Sequence, residues 1–408
     1  MATALEASRP DTPSTEELDY RWTLNFGPQH PATHTTLRLV LQIEGERVVE
    51  ATPDIGYLHS GFEKIGEHLN FNQYVTVTDR MNYISPLANN VAWHNAVEKL
   101  LGIEVPKRCQ YIRVILVELA RISDHLLCNG ACALDTGAFT AFLYAFNERE
   151  KLMHLFETLC GARFTTSYTR TGGLMYDLTP AFISELRAWL KTFPAVFADV
   201  VRLLNRNRIF VERTKGIGVL TKAEAISRSA TGPIARASGV TRDLRKDQPY
   251  MSYQDFDFNV ICSKEGDCFH RYLVRMDEIT ESLKIIHQAL ENLPVGPVNV
   301  DADERTILPE KSKVYNTIEG LISHFEVVMT NRGFQTPLAE CYSAIESPNG
   351  ELGFYLVGDG SEIAYRARCR PPSYIHFAMF PHLIRGHLVS DIVAVLGSLN
   401  VIAAELDR

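Results

Sequence analysis

Residues 106–134 read Pro-Lys-Arg-Cys-Gln-Tyr-Ile-Arg-Val-Ile-Leu-Val-Glu-Leu-Ala-Arg-Ile-Ser-Asp-His-Leu-Leu-Cys-Asn-Gly-Ala-Cys-Ala-Leu. Pro106 suits a first helical turn, where its missing N–H is no loss. Tyr111, Ile112, Val114, Ile115, Leu116 and Val117 are apolar around nearly the whole circumference. Such a helix has no face to give to water, so the stretch predicts a buried central helix. Its polar members Glu118, Arg121 and His125 recur at three and four, the spacing of one stripe. Inside a core they read as an ion-pair network between packed helices, or as groups placed for chemistry.

Working outward, helical periodicity extends the core over 58–210, with segments near 58–70, 84–101, 138–160 and 180–204. Residues 21–57 alternate instead. Leu37, Leu39 and Leu41 share one face of a strand, and Val48 and Val49 begin another after Gly45, which predicts a small antiparallel β unit. Residues 211–330 read as an irregular segment followed by helices near 266–292 and 312–330. Residues 331–408 carry a β-hairpin section, with turns at Pro348-Asn-Gly350 and Gly358-Asp-Gly360, and then C-terminal helices from Phe377. The fold class is therefore α+β, predominantly helical. Residues 1–20 are polar, contain Pro10 and Pro13, and read as a flexible arm without a secretory signal.

Composition narrows the function. A chain of 408 residues that is 46% hydrophobic can bury a large core. The net charge of -8, with no long basic run, argues against nucleic acid as a partner. Eight cysteines include no Cys-x-x-Cys, which disfavours a zinc ribbon, a thioredoxin-type site and the usual spacing of an iron-sulfur cluster. Cys128 and Cys132 read as packing groups. The longest apolar stretch, Asp391 to Ala404, is interrupted by Ser398 and Asn400 and falls short of the roughly 18 residues that span a bilayer. The chain therefore does not cross a membrane, though it could still sit against one through partner subunits.

Three segments look placed for chemistry. Asn25-Phe-Gly-Pro-Gln-His-Pro-Ala-Thr-His34 sets His30 and His34 in a loop stiffened by Pro28 and Pro31. A helical zinc motif needs a glutamate after its first histidine, and Pro31 stands there instead. An imidazole in a stiff loop suits hydrogen bonding or proton transfer. The second segment is Asp79-Arg-Met-Asn-Tyr83 and the third Leu134-Asp-Thr-Gly137. Each has a plainer alternative: Asp135 as a cap for the next helix, Tyr83 as a core tyrosine, Arg80 as one half of an ion pair. Gly216-Ile-Gly218 lacks the third glycine of a dinucleotide loop.

Taken together the segments are far more specific. Gly-Pro-Gln-His-Pro-Ala-Thr-His, Gly56-Tyr-Leu-His-Ser-Gly-Phe-Glu-Lys64, Asp79-Arg-Met-Asn-Tyr83, Ala96-Val-Glu-Lys-Leu-Leu-Gly102, Arg113-Val-Ile-Leu-Val-Glu-Leu119, Tyr144-Ala-Phe-Asn-Glu-Arg-Glu150 and Arg236-Ala-Ser-Gly239 occur in this order. From about Trp22 to Arg408 the chain resembles the 49 kDa, D-type subunit of NADH-quinone oxidoreductase, respiratory complex I. That family is related to the large subunit of nickel-iron hydrogenases, so the resemblance implies a hydrogenase-like helical core. Hydrogenases hold their metals with two Cys-x-x-Cys pairs. The matching positions here are Asn82 with Ser85 and Ile402 with Glu405, and without thiolates a nickel-iron centre has no soft ligands.

The resemblance implies a peripheral subunit on the cytoplasmic face of the inner membrane, within a proton-translocating complex. Its partners would be the B-type iron-sulfur subunit, the C-type subunit and the H-type membrane subunit. The emptied metal cavity would become a quinone pocket, with quinone as substrate and no cofactor bound by this chain alone. Electrons would come from an iron-sulfur cluster in the neighbouring subunit. Tyr83 and His34 would hydrogen-bond the two quinone carbonyls, Asp135 would partner His34, and His30, Arg80, Arg163 and Arg170 would support them. A phenol of ordinary pKa about 10 gives up its proton only when reduction makes the quinone oxygen strongly basic.

Two positions depart from the family pattern. Thr35 replaces a glycine after the second histidine. Thr165 replaces a histidine in Arg163-Phe-Thr-Thr-Ser-Tyr-Thr-Arg170-Thr-Gly-Gly173, beside the expected cluster. The alternatives are a related complex with another donor such as ferredoxin, a nickel-iron hydrogenase subunit disfavoured by the missing cysteine pairs, and a non-catalytic scaffold.

Overall fold

A computed structural model describes residues 21–33, 36–300, 307–329 and 335–408. The arm expected over 1–20, and His34 and Thr35, lie outside the described residues.

The Lys107–Asp135 helix runs through the centre, packed against the Phe139–Cys160, Cys268–Glu291 and Asp391–Leu399 helices. Ile112, Val114, Ile115, Leu116, Val117, Leu119 and Ile122 are all fully buried, as an all-round apolar helix requires. The Pro180–Asn205 helix covers the outer side of Phe139–Cys160. One member of this helical core, Cys268–Glu291, thus comes from beyond residue 210.

The central polar stripe is an ion-pair network. Glu118 accepts hydrogen bonds from Arg121 Nε at 3.1 Å, Arg245 Nη1 at 3.2 Å, the Tyr253 hydroxyl at 2.7 Å and Ser282 Oγ at 2.6 Å. Burial alone would raise its pKa, but Arg121 and Arg245 hold the carboxyl below its ordinary value. Glu278 binds His125 Nε2 at 3.0 Å and Arg236 Nη2 at 2.7 Å, and Arg236 Nη1 reaches Glu346 at 2.7 Å. Burial drives His125 down to about 4 despite Glu278, so at neutral pH the ring is uncharged and donates. Lone buried charges are very costly, which is why these groups occur as a paired set.

Two small sheets flank the helices. Arg21–Phe26, Arg38–Glu44 and Arg47–Asp54 form an antiparallel sheet in chain order, and Leu39, Leu41 and Ile43 face a core shared with Phe380 and Ile384. Glu340–Ser347, Gly350–Gly358 and Ala364–Arg370 form the second, pairing Ser347 with Gly350 across the predicted Pro348-Asn349 turn. It packs on the Pro86–Leu101 helix, where the Trp93 and Phe354 rings meet edge to face at 5.4 Å.

Two expectations need correction. Within 58–70 only Phe62–Ile65 is α-helical. Gly61 at φ 66° stands just before it, and past Ile65 the backbone bonds turn to i,i+3, with Glu67 N–H on the Lys64 carbonyl at 3.1 Å and His68 N–H on the Ile65 carbonyl at 3.0 Å, so the helix gives way to turns. The irregular stretch after 205 contains short helices Arg208–Thr214, Lys222–Ser227, Gly232–Ala237 and Leu244–Asp247. Asn207, Thr221 and Asp243 cap three of them, Thr221 with Glu224 in a reciprocal capping box.

Candidate functional site

The Val75–Met81 helix stops at Asn82, which leaves helical geometry. Its carboxamide oxygen accepts the N–H groups of Ile84 at 3.2 Å and Ser85 at 3.3 Å, and Pro86 then opens the next helix. Tyr83 sits in this tight turn, half-buried, with its ring 6.2 Å from that of Phe164. Burial raises its pKa. No hydrogen bond from another described residue reaches its hydroxyl, which leaves a neutral phenol able to donate to something else.

Asp79, one helical turn earlier, is fully buried and ties this turn to the 163–173 loop. It accepts from Asn90 Nδ2 at 2.7 Å, the Ser167 amide at 3.2 Å and Ser167 Oγ at 2.5 Å. Burial pushes its pKa up against these donors. Arg170 donates to the Ser167 carbonyl at 2.8 Å, and burial lowers its pKa. Farther along, a Cβ on Gly173 would fall 1.9 Å from Asn299 Oδ1, so only glycine fits that approach.

The two other supporting arginines point elsewhere. Arg80 is exposed and bonds the Thr76 carbonyl of its own helix at 2.5 Å, not a nearby acid. Arg163 is exposed and pairs with Glu150. His30 is half-buried, its ring 4.2 Å from Phe26, and its Nδ1 accepts the Ala32 amide at 3.1 Å. It thereby braces the loop that leads into His34. Asp135 is the exposed last residue of the central helix. It does not cap the following helix, whose N-cap is Ala138 without a side-chain bond.

From Asp135 an aromatic row leads toward Tyr83. Phe139, Phe142 and Phe146 lie on one side of the Phe139–Cys160 helix, with ring centroids 6.3 and 4.1 Å apart. The Arg149 guanidinium follows, 5.7 Å from the Phe146 ring and 5.6 Å from the Phe164 ring. Phe139 is 56% exposed, so the row opens to the surface at that end.

The four positions that the resemblance sets against hydrogenase cysteines, Asn82, Ser85, Ile402 and Glu405, are all buried. The Ala403–Asp407 helix that carries Glu405 packs against Val75–Met81. Asn82 Nδ2, Ser85 Oγ and Glu405 Oε1 have no hydrogen-bond partner among the described residues. Ser373 Oγ donates to the other Glu405 oxygen, and Asn349 Nδ2 lies 3.5 Å away. Burial, reinforced by the Asp124 carboxylate, outweighs these donors and raises Glu405 to about 8. Asn349 Oδ1 in turn accepts from Asn400 Nδ2 at 2.8 Å, which also donates to Asp124 at 2.6 Å. Asn82 and Ser85 thus put buried neutral polar groups at these positions, and Glu405 a carboxyl protonated at neutral pH. Among the described residues no group of three or more His, Cys, Asp or Glu is arranged to hold a metal ion.

Comparison with known sequences decides the family. The family model described as the respiratory-chain NADH dehydrogenase 49 kDa subunit matches residues 135–408. This chain belongs to that family. Relatives named as the D-type subunit of NADH-quinone oxidoreductase share close identity with it. The Methylacidiphilum infernorum protein is 49% identical over 388 residues, covering 95% of this chain and 92% of its own. The Geotalea uraniireducens protein is 47% identical over 386 residues, 95% of this chain and 98% of its own. The Flavobacterium johnsoniae protein is 49% identical over 384 residues, 94% and 93% respectively. Among the described residues of this 49 kDa-family chain no helix is long and apolar enough to cross a membrane.

Sequence reasoning misses three groups near the site. Asp79 is overshadowed by its neighbour Arg80, although an acid on a helix of mostly apolar and threonine residues is a signal. Arg149 stands out only as part of a family motif. The Asp124–Asn400–Asn349–Glu405 chain joins distant segments and has no local signature.

Proposed function

We propose that this chain forms the quinone-binding and reduction pocket of a proton-translocating NADH-quinone oxidoreductase, as a peripheral subunit on the cytoplasmic face of the membrane. Electrons arrive from an iron-sulfur cluster in the neighbouring subunit. The B-type, C-type and H-type subunits are the partners expected from the resemblance. The observation that carries the reading is Tyr83: a half-buried phenol whose hydroxyl has no partner among the described residues, set beside Phe164 in a turn flanked by the buried Asn82 and Ser85.

Reduction of quinone to quinol takes two electrons and two protons. Tyr83 donates a hydrogen bond to one carbonyl oxygen of the neutral ring. Because burial raises its pKa, it keeps its proton until reduction makes that oxygen basic. His34, protonated and partnered by Asp135, supplies the second proton, and Asp135 is then free to relax as the imidazole becomes neutral. Charge-assisted bonds of this kind are worth about 1.5 to 3 kcal/mol each, enough to bias a loop between two positions.

Tyr83→Phe tests the reading in membranes holding the intact complex. Quinone reduction should fall at least about tenfold, the loss of roughly 1.4 kcal/mol of transition-state stabilisation. Assembly and electron transfer to a water-soluble acceptor should persist. Full quinone reductase activity in that variant would reduce this chain to a scaffold.

A further inference from the structure

Most interior arginines of this chain are matched. Arg113 grips Glu98 through two 2.7 Å bonds, and Arg121, Arg236 and Arg245 all meet carboxylates. Arg271 and Arg275 donate to Ser398 and to backbone carbonyls. Arg149 is the exception. Its Nε and Nη2 are shut off from solvent without a hydrogen-bond partner, and no described carboxylate pairs with it.

The surrounding acids are otherwise engaged. Glu148 holds Lys151 at 2.6 Å, and Glu150 holds Arg163. Asp124 acts on Arg149 only through its field and is bonded to Asn400 at 2.6 Å. Burial lowers the pKa of Arg149, with Asp124 and Glu150 opposing the fall. A guanidinium remains protonated in such a setting, because its ordinary pKa exceeds 12. What remains is a flat cation between the Phe146 and Phe164 rings, the second of which lies 6.2 Å from the Tyr83 ring.

Arg149 as a whole is only part-buried, and Nη1, unlike Nε and Nη2, is not sealed off, so that edge of the guanidinium is open to an acceptor, and its walls say which kind. Phe142, Phe146 and Phe164 suit a flat apolar ring bearing oxygens, neutral on entry and negative only as electrons arrive. We propose that Arg149 contacts the quinone ring and stabilises the negative charge that the ring acquires during reduction. This rests on the pocket reading above. Two electrons enter the ring, the two protons come from Tyr83 and the imidazole, and Arg149 gives up none. The row Phe139–Phe142–Phe146 then offers the substrate's apolar tail a path from the surface.

Arg149→Met and Arg149→Lys, each in the intact complex in its membrane, test the assignment. In the Met variant kcat for quinone reduction should fall at least about tenfold with a smaller change in KM, and the semiquinone signal in electron paramagnetic resonance should weaken. The Lys variant should recover part of the rate, since charge returns without the planar fork. Reduction of a water-soluble acceptor and the amount of assembled complex should not change. An unaltered kcat in the Met variant overturns the proposal, and so does loss of the complex, which would make Arg149 a purely structural or interface cation. If Tyr83→Phe abolishes turnover while Arg149→Met does not, the pocket stands and only the arginine's role falls. If neither matters, both readings fall.

Discussion

Glu405 offers the most quantitative test of how this interior is built. The carboxyl is fully buried and raised from an ordinary value of 4.5 to about 8, so the folded chain holds its proton more tightly than the unfolded chain does. Between those two values the folded state carries an extra proton, and stability must therefore fall as pH rises across the window. Each pH unit inside it costs about 1.4 kcal/mol. Glu405→Gln keeps the shape and the oxygen that Ser373 bonds, but never ionises. Relative to the parent, the Gln variant should gain about 2.5 to 3 kcal/mol between roughly pH 5.5 and pH 7.5. Protease resistance of this subunit in increasing urea, measured in the purified complex at both pH values, reads that difference. A gap between variant and parent that does not change with pH, or that shrinks on going to higher pH, would show that Glu405 is ionised like a surface glutamate and refute the reasoning.

Two other expectations follow from particular side chains. Arg113→Met should strand the buried Glu98 carboxylate and destabilise the subunit by about 3 to 5 kcal/mol, and adding Glu98→Leu should recover much of it; a double variant no more stable in urea than the single one would dispose of this account. Threonine cannot titrate, so with Thr165 in the loop beside the expected cluster, that cluster's midpoint potential should hardly vary from about pH 6 to 8, whereas Thr165→His should introduce a dependence; a slope near 60 mV per pH unit in the parent would contradict the idea.

The long helices and the C-terminal hairpin are legible because their signals are local. The all-round apolar run after Pro106 admits only a buried helix, and the Pro348-Asn-Gly350 turn fixes the pairing of Ser347 with Gly350. The region near 58–70 misleads because its apolar spacing is helical, while Gly61 at φ 66° and the i,i+3 turns after Ile65 decide the backbone. At the site, Tyr83 can be named from the Asp79-Arg-Met-Asn-Tyr83 segment, but not its surroundings. Asn400 and Asp124 are 276 residues apart, and nothing in either neighbourhood announces the other. Arg149 is conspicuous only once every other interior arginine has been matched, which needs three dimensions. His34, the partner assigned to Tyr83 by resemblance, lies outside the described residues, so their pairing rests on that resemblance alone.

The network around Glu118, Glu278 and Glu346 also bears on how the protein can be handled. Its guanidiniums and carboxylates are sealed from the bulk, where dissolved ions cannot crowd between them, whereas pairs such as Arg163 with Glu150 stand in the open. Concentrated salt therefore loosens what this chain holds at its rim and leaves what it holds at its heart. A brine wash that strips its neighbours away should return a protein whose centre is still knotted together.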